Sequence, residues 1–192
     1  MNKLNLSFLM IAGLLVSVAF TKPNTKKVDV AKSKVGWVAK KVTGQHSGIV
    51  SLQSGSIVFD NNRPVSGNLV MDMNSIKVTD LQGEYAEKLR GHLNGKDFFD
   101  VENNPTANFV LKNSAATADP KKFVITGDLT IKGITQSVSF DAMFEMDHAT
   151  ANIMIDRTKF GIKYGSGTFF QNLGDKAIND VFDLNVDLVF SK

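Results

Sequence analysis

The chain has 192 residues, 43% of them apolar and 21% charged, a profile that fits one folded domain with or without a processing segment and excludes a disordered chain. Its 22 basic and 19 acidic residues leave a net charge of +3 with no Lys/Arg run, which speaks against a nucleic-acid groove. The absence of cysteine excludes disulfides, thiolate catalysis, Cys-bearing zinc sites and a lipid anchor on cysteine.

The N-terminus reads as a targeting segment. Lys3 precedes an uncharged stretch over residues 4–20, and Ser17-Val18-Ala19 supplies small residues before a cleavage point. This is the layout of a secretory signal peptide over 1–19, leaving a mature domain over 20–192 and a periplasmic or secreted location. The alternative is a membrane anchor, for which the apolar stretch is near the lower limit of length.

Beyond it, period-two alternation predicts strands at 35–41, 48–52, 56–60 and 68–73, with turn chemistry at Asp60-Asn61-Asn62-Arg63-Pro64 and at Ser66-Gly67. Leu81, Tyr85, Leu89 and Leu93 then recur every four residues, which predicts one helix. Thr79 as N-cap with Gln82 three residues on would form a capping box, and Asn94-Gly95 a stop, followed by a short turn at 96–100. A strand follows at 107–112. In 122–132, Phe123, Ile125, Gly127, Leu129 and Ile131 share one face. In 134–146, Ile134, Gln136, Val138, Phe140, Ala142, Phe144 and Met146 share another, and Gly133 between the runs reads as a tight hairpin. Strands at 151–156 and over the C-terminal run of Phe182, Leu184, Val186, Leu188 and Phe190 complete the set. Eight or nine alternating strands with one inserted helix predict an antiparallel barrel or sandwich. An eight-stranded barrel holds either packed side chains or one small ligand, and alternation alone does not choose between them. The 14 phenylalanines, against two tyrosines and one tryptophan, favour a large apolar interior.

Catalytic chemistry is sparse. His46, His92 and His148 have no local metal-ligand spacing. Gly165-Ser166-Gly167 reads as a loop rather than a nucleophile elbow. Asp97, Asp100 and Glu102 read as caps or a solvated face, and no phosphate-binding glycine loop occurs. A binding module is therefore favoured over an enzyme, with no catalytic residue, metal or cofactor assigned.

Two segments carry a family resemblance. Residues 89–109, with His92-Leu93, Asp97-Phe98-Phe99-Asp100 and Pro105-Thr106-Ala107-Asn108-Phe109, and the run Gly127-Asp128-Leu129-Thr130-Ile131-Lys132-Gly133-Ile134-Thr135 resemble the YceI-like family. Trp37, Gln45-His46-Ser47-Gly48, Ser75-Ile76 and Arg157-Thr158-Lys159-Phe160-Gly161 fall in the matching order around them, so the resemblance covers roughly 28–190. It implies an all-β fold, an extended antiparallel eight-stranded lipocalin-like barrel with a short inserted helix. It also implies an exported protein that binds an isoprenoid-type lipid, an isoprenoid quinone or polyprenyl chain, in the barrel interior for transport or storage. The side chains expected around such a ligand are Trp37, Phe98, Phe99, Phe109, Phe123, Ile125, Leu129, Phe140, Ala142, Phe144, Phe160, Phe182 and Leu184. His46, Arg90 and His92 are candidates for its head group. Arg90 and His92 could equally cap the helix end. The chain departs from some family members in having Gly91 before His92, and a glycine-rich loop over 161–167 followed by Phe169-Phe170. An enzyme acting on the lipid and a structural barrel filled by its own side chains are the competing readings, and a homodimer is left open.

Overall fold

The computed structural model describes residues 22–191; the segment read as a signal peptide lies outside them. Nine strands and one α-helix follow in chain order: β1 (Asn24–Lys27), β2 (Lys34–Lys41), β3 (Gly44–Asp60), β4 (Arg63–Val78), α1 (Gly83–Asn94), β5 (Thr106–Ala116), β6 (Lys122–Ile131), β7 (Ile134–Phe144), β8 (His148–Asp156) and β9 (Ile178–Val189). A 3₁₀ turn over Arg157–Phe160 and another over Gly174–Lys176 lie between β8 and β9.

From β2 to β9 each strand pairs antiparallel with the next, and β9 returns to pair with β2, from Lys34↔Asp187 to Lys41↔Ile178. The result is a closed eight-stranded up-and-down barrel, the architecture the family resemblance implied and one of the two that alternation left open. Closure removes the sheet edges that an open antiparallel sheet would expose. Strand β1 continues the wall where β2 ends. It pairs with the far half of β3, Asn24↔Phe59 to Lys27↔Ser56, and the chain then crosses to β9 at Val28↔Phe190.

The hairpin of β6 and β7 shows why alternation predicts so well here. Ten residue pairs run from Lys122↔Met143 to Ile131↔Ile134 without a shift. Phe123, Ile125, Gly127, Leu129 and Ile131 are all buried while their neighbours are not. Lys132 (φ 51°) and Gly133 (φ 72°) both sit in the left-handed region, the geometry of a two-residue turn that matches strand twist. Met146 falls beyond the strand and is 87% exposed, so the inward face ends at Phe144.

Elsewhere the strands run longer than alternation suggests. The two runs at 48–52 and 56–60 are one strand, β3, and Ser66-Gly67 is no turn but part of β4. The register between β3 and β4 shifts at Ile49/Ser51, Leu52/Ser54 and Val58/Phe59. Each shift moves the apolar set to the other parity and so breaks the period-two pattern without ending the strand. The true turn is at Asn61 (φ 50°) and Asn62 (φ 64°).

Helix α1 also begins later than the capping box implies. Its N-cap is Gln82, without a side-chain cap bond. Thr79 and Asp80 instead tie the chain to β3: the Thr79 amide donates to the Ser47 carbonyl at 2.9 Å, and the Ser47 amide donates to Asp80 Oδ1 at 2.9 Å. Leu93 is buried and Leu89 half-buried, but Tyr85 is 76% exposed, so the apolar stripe docks only at its C-terminal half. The helix stops at Gly95, as its sequence suggests, and a run of turns to Asn104 follows. There Asp100 (φ 48°) accepts hydrogen bonds from Asn103 Nδ2 at 2.9 and 3.1 Å. That acidic cluster is turn chemistry.

Candidate functional site

The two ends of the barrel are built differently. At one end Phe59 meets Phe144 edge-on at 5.8 Å and Phe190 at 5.9 Å, and Phe123 meets Phe144 at 5.9 Å. Lys26 of β1 sits over the Phe59 and Phe190 rings at 5.2 and 5.5 Å. This aromatic cage is a floor. At the other end α1, the turns after it and the segment between β8 and β9 form a partial cover, with Leu93, Phe98, Phe160 and Ile162 buried together.

Between floor and cover lies a cavity of about 230 Å³, lined by side chains from every strand of the closed barrel. The lining on β9 runs from Ile178 to Leu188, about 34 Å along a strand at about 3.4 Å per residue and about 25 Å along the axis of a barrel tilted by about 40°. The wall is aliphatic and aromatic. Polar lining is confined to Thr150 and to the covered end, where Lys40, Lys41, His46, His92, Arg157 and Asn179 contribute. A long, narrow, apolar lumen with polar groups at one mouth suits a linear hydrophobic molecule with a polar end.

The sequence profile of the YceI-like domain matches residues 27–190. The chain belongs to the YceI-like family. Among curated relatives, a UPF0312 protein of Photorhabdus laumondii is 34% identical over 46% of this chain and 43% of its own length. A UPF0312 protein of Pseudomonas putida is 32% identical over 62% of this chain and 64% of its own length. The matches thus span less than two thirds of these relatives. Among solved structures, BcnA of Burkholderia cenocepacia superposes with a TM-score of 0.68 at 25% identity, covering 85% of this chain and 99% of that one. A polyisoprenoid binding domain from Saccharophagus degradans, implicated in plant cell wall breakdown, gives 0.61 at 14% identity, covering 86% and 97%. At that identity the second likeness concerns the fold alone.

In this YceI-like barrel, Trp37, Phe98, Phe99, Phe109, Ile125, Leu129, Phe140, Ala142, Phe144, Phe182 and Leu184 line the lumen. Phe123 and Phe160 do not. Phe123 faces inward but stands in the floor behind Phe144, and Phe160, 1% exposed, packs beneath the cover. Alternation tells which way a side chain points, not how far along the lumen the open space extends. The lining on β3 and β4, among it Leu52, Ile57, Met71, Met73 and Ile76, escaped sequence reading because the bulges scramble parity there, whereas Val35 shares the inward face of Trp37 on β2 and was within reach of alternation.

The three head-group candidates separate. His46 and His92 line the mouth. Arg90 turns away, and its Nε donates to Glu87 at 3.0 Å. His46 Nδ1 lies 2.8 Å from Asp80 Oδ2, which fixes the ring at the rim. His92 packs against Tyr164 at 4.5 Å and Phe98 at 5.2 Å. His148 lies at the floor end beside Asp187, at 2.6 Å. Among the described residues no three His, Asp or Glu side chains gather as a metal centre requires.

Arg157 is the residue that sequence reading placed only by order in the chain. It is 3% exposed. Its guanidinium donates to the carbonyls of Asn179 (3.0 Å), Ile162 (2.9 Å), Tyr164 (2.8 Å) and Ile178 (3.0 Å), with Asp180 Oδ1 at 3.5 Å. The rigid fork of five N–H donors is suited to collecting carbonyls from two segments, here the loop after β8 and the start of β9. Burial lowers its pKa below the usual arginine value, against the pull of Asp180 and Asp156.

Two acids around the mouth make it sensitive to low pH. Burial alone would raise Asp80, but the Ser47 amide and the His46 ring together hold it below the ordinary carboxylate value. Burial likewise opposes ionisation of Asp180, and the Ser166 and Thr168 hydroxyls with Arg157 outweigh it. A carboxyl whose folded pKa is depressed adds stability that is complete above its unfolded pKa, about 4, and lost as pH falls through its folded value. The denaturant midpoint should therefore fall as pH is taken below about 4, and less steeply in an Asp80→Asn, Asp180→Asn double variant. Parallel profiles for the two proteins would remove these acids as the cause.

The wall at Trp37 depends on a missing side chain. A Cβ on Gly48 would stand 1.9 Å from the Lys77 carbonyl oxygen and 2.4 Å from the indole. Gly48→Ala should cost at least about 2 kcal/mol through overpacking and shift the fluorescence of the chain's one tryptophan. An unmoved emission spectrum at unchanged stability would refute this packing.

Proposed function

We propose that this protein is an exported carrier or store that holds the chain of an isoprenoid-type lipid, a quinone or a polyprenyl lipid, in the barrel lumen with its head group at the mouth. The observation that carries the reading is the lumen itself, apolar along the barrel, floored by aromatic rings and polar only at one end. Membership of the YceI-like family and the fold shared with a polyisoprenoid binding domain support the ligand class. Burial of an apolar chain is worth up to about 0.8 kcal/mol per CH₂, and ordering costs cancel much of it. Selection then falls to lumen length and shape, with His46 and His92 as hydrogen-bonding partners for the head group. The N-terminal segment with Ser17-Val18-Ala19 supports delivery to the periplasm or beyond.

Mass spectrometry of organic extracts from natively purified protein tests the proposal. A stoichiometric prenyl-chain lipid is expected. Extracts that hold only the bulk phospholipids of the host would reject it.

A further inference from the structure

Resting on that reading, we propose that the mouth of the barrel docks on an anionic lipid bilayer, with Phe169 and Phe170 entering the interface and Lys163 and Lys176 binding anionic headgroups. The loop that carries these residues is fixed at its base, and its tip is a tight turn in which the Phe169 and Phe170 amides donate to the Ser166 carbonyl at 3.1 and 2.9 Å. Arg157 holds the Tyr164 and Ile162 carbonyls, and the Ile178 amide donates to the Gly165 carbonyl at 2.8 Å. Past Ser166 the chain turns outward, leaving Phe169 46% and Phe170 50% exposed.

The neighbouring turn between β2 and β3 belongs to the same surface. The Val42 amide donates to the Ala177 carbonyl at 3.2 Å, and Val42 is 66% exposed. Lys41 and Ile178, which flank these points, line the lumen. Phe169, Phe170 and Val42 therefore stand together at the opening, whereas other exposed apolar side chains, such as Met146 and Met154, lie apart from it. Isolated exposed apolar side chains need no explanation, but a set gathered on one rim does.

The charges say what covers it. Lys163 Nζ lies 4.6 Å from the centroid of the Phe169 ring. Lys40 is tied to Asp183, whereas Lys41, Lys163 and Lys176 form no ion pair among the described residues. Aromatic groups beside uncompensated lysines match the interface of an anionic bilayer, where the rings enter the acyl boundary and the ammonium groups stay with the phosphates. A bilayer is also the phase that holds an apolar, chain-like ligand, so a mouth pressed against it lets the chain pass without crossing water.

The test uses protein recovered in soluble form from the expressing cell, so that wild type and variants share one N-terminus. Co-sedimentation is measured with vesicles of phosphatidylethanolamine and phosphatidylglycerol, and with phosphatidylcholine vesicles. Wild type should prefer the anionic vesicles. A F169S/F170S variant should lose about tenfold or more in affinity, and K163E/K176E at least about fivefold on the anionic vesicles alone. Circular dichroism and lipid extraction accompany both, and lumen lipid should be unchanged. Equal sedimentation of wild type and both variants overturns the proposal, as does sedimentation of none of them, or a loop that matters only to a protein partner. An empty lumen with vesicle binding intact overturns the carrier reading and leaves the docking surface standing.

Discussion

Ala142→Trp should empty the lumen of its lipid, while Ser139→Trp leaves it filled. Ala142 is buried, lines the lumen between Phe140 and Phe144, and pairs with Phe123 on one side and Ala151 on the other. A small side chain at this point keeps the bore open just above the aromatic floor. An indole there occupies the space of several chain carbons, each worth up to about 0.8 kcal/mol of burial. Overpacking of this kind costs about 1–3 kcal/mol of stability, and an existing cavity takes up part of the added volume. Ser139 lies on the outer face, where its hydroxyl donates to the Ile125 carbonyl at 3.2 Å, and a tryptophan there projects into solvent. Both proteins would be extracted and their lipid quantified after circular dichroism shows a β-barrel. Equal lipid content would place the ligand elsewhere than the lumen.

The second large effect is on stability. Arg157→Ala should cost about 3–5 kcal/mol, the range for breaking a buried, fully hydrogen-bonded charge site. Four carbonyls lose their shared donor and Asp180 loses its cation. Arg157→Lys should recover little, because one ammonium cannot reach four acceptors placed around a planar fork. Urea unfolding gives the comparison directly. A lysine variant as stable as wild type would mean that charge alone, not the fork, holds the loop after β8 to β9.

The strands that sequence reading found well are those with one wet and one apolar face along their whole length. β6, β7 and β9 are of this kind, and Phe140, Ala142, Phe182 and Leu184 came from them. β3 and β4 resisted because each bulge exchanges inside for outside, so half of a continuous strand reads as noise. β1 is four polar residues, Asn24-Thr25-Lys26-Lys27, and shows no pattern; only the gap left by β2 creates its place. The capping box at Thr79 was present in composition but spent on Ser47, a contact distant in sequence that no local rule detects. Arg90 and His92 are two positions apart, which on a helix puts them on different faces, so one meets the lumen and the other Glu87. The role of Arg157 depends on backbone carbonyls, which leave no mark in a sequence.

The seam between β7 and β8 is the shortest in the wall. Only three residue pairs join them, Ala142↔Ala151 to Phe144↔Ala149. Beyond these the wall is completed by the 3₁₀ turn, where Gln136 Nε2 donates to the Lys159 carbonyl at 3.2 Å, and by side chains such as Val138 and Ile153 that face the lumen. A tube whose seams were all equally bonded would have a fixed girth. This one is a split ring in its bonding: the other seams carry longer ladders, and this one is closed by three residue pairs beside the aromatic floor and by side chains toward the mouth. The girth of the barrel on its mouth side is therefore set at this one joint by side-chain packing rather than by a backbone ladder.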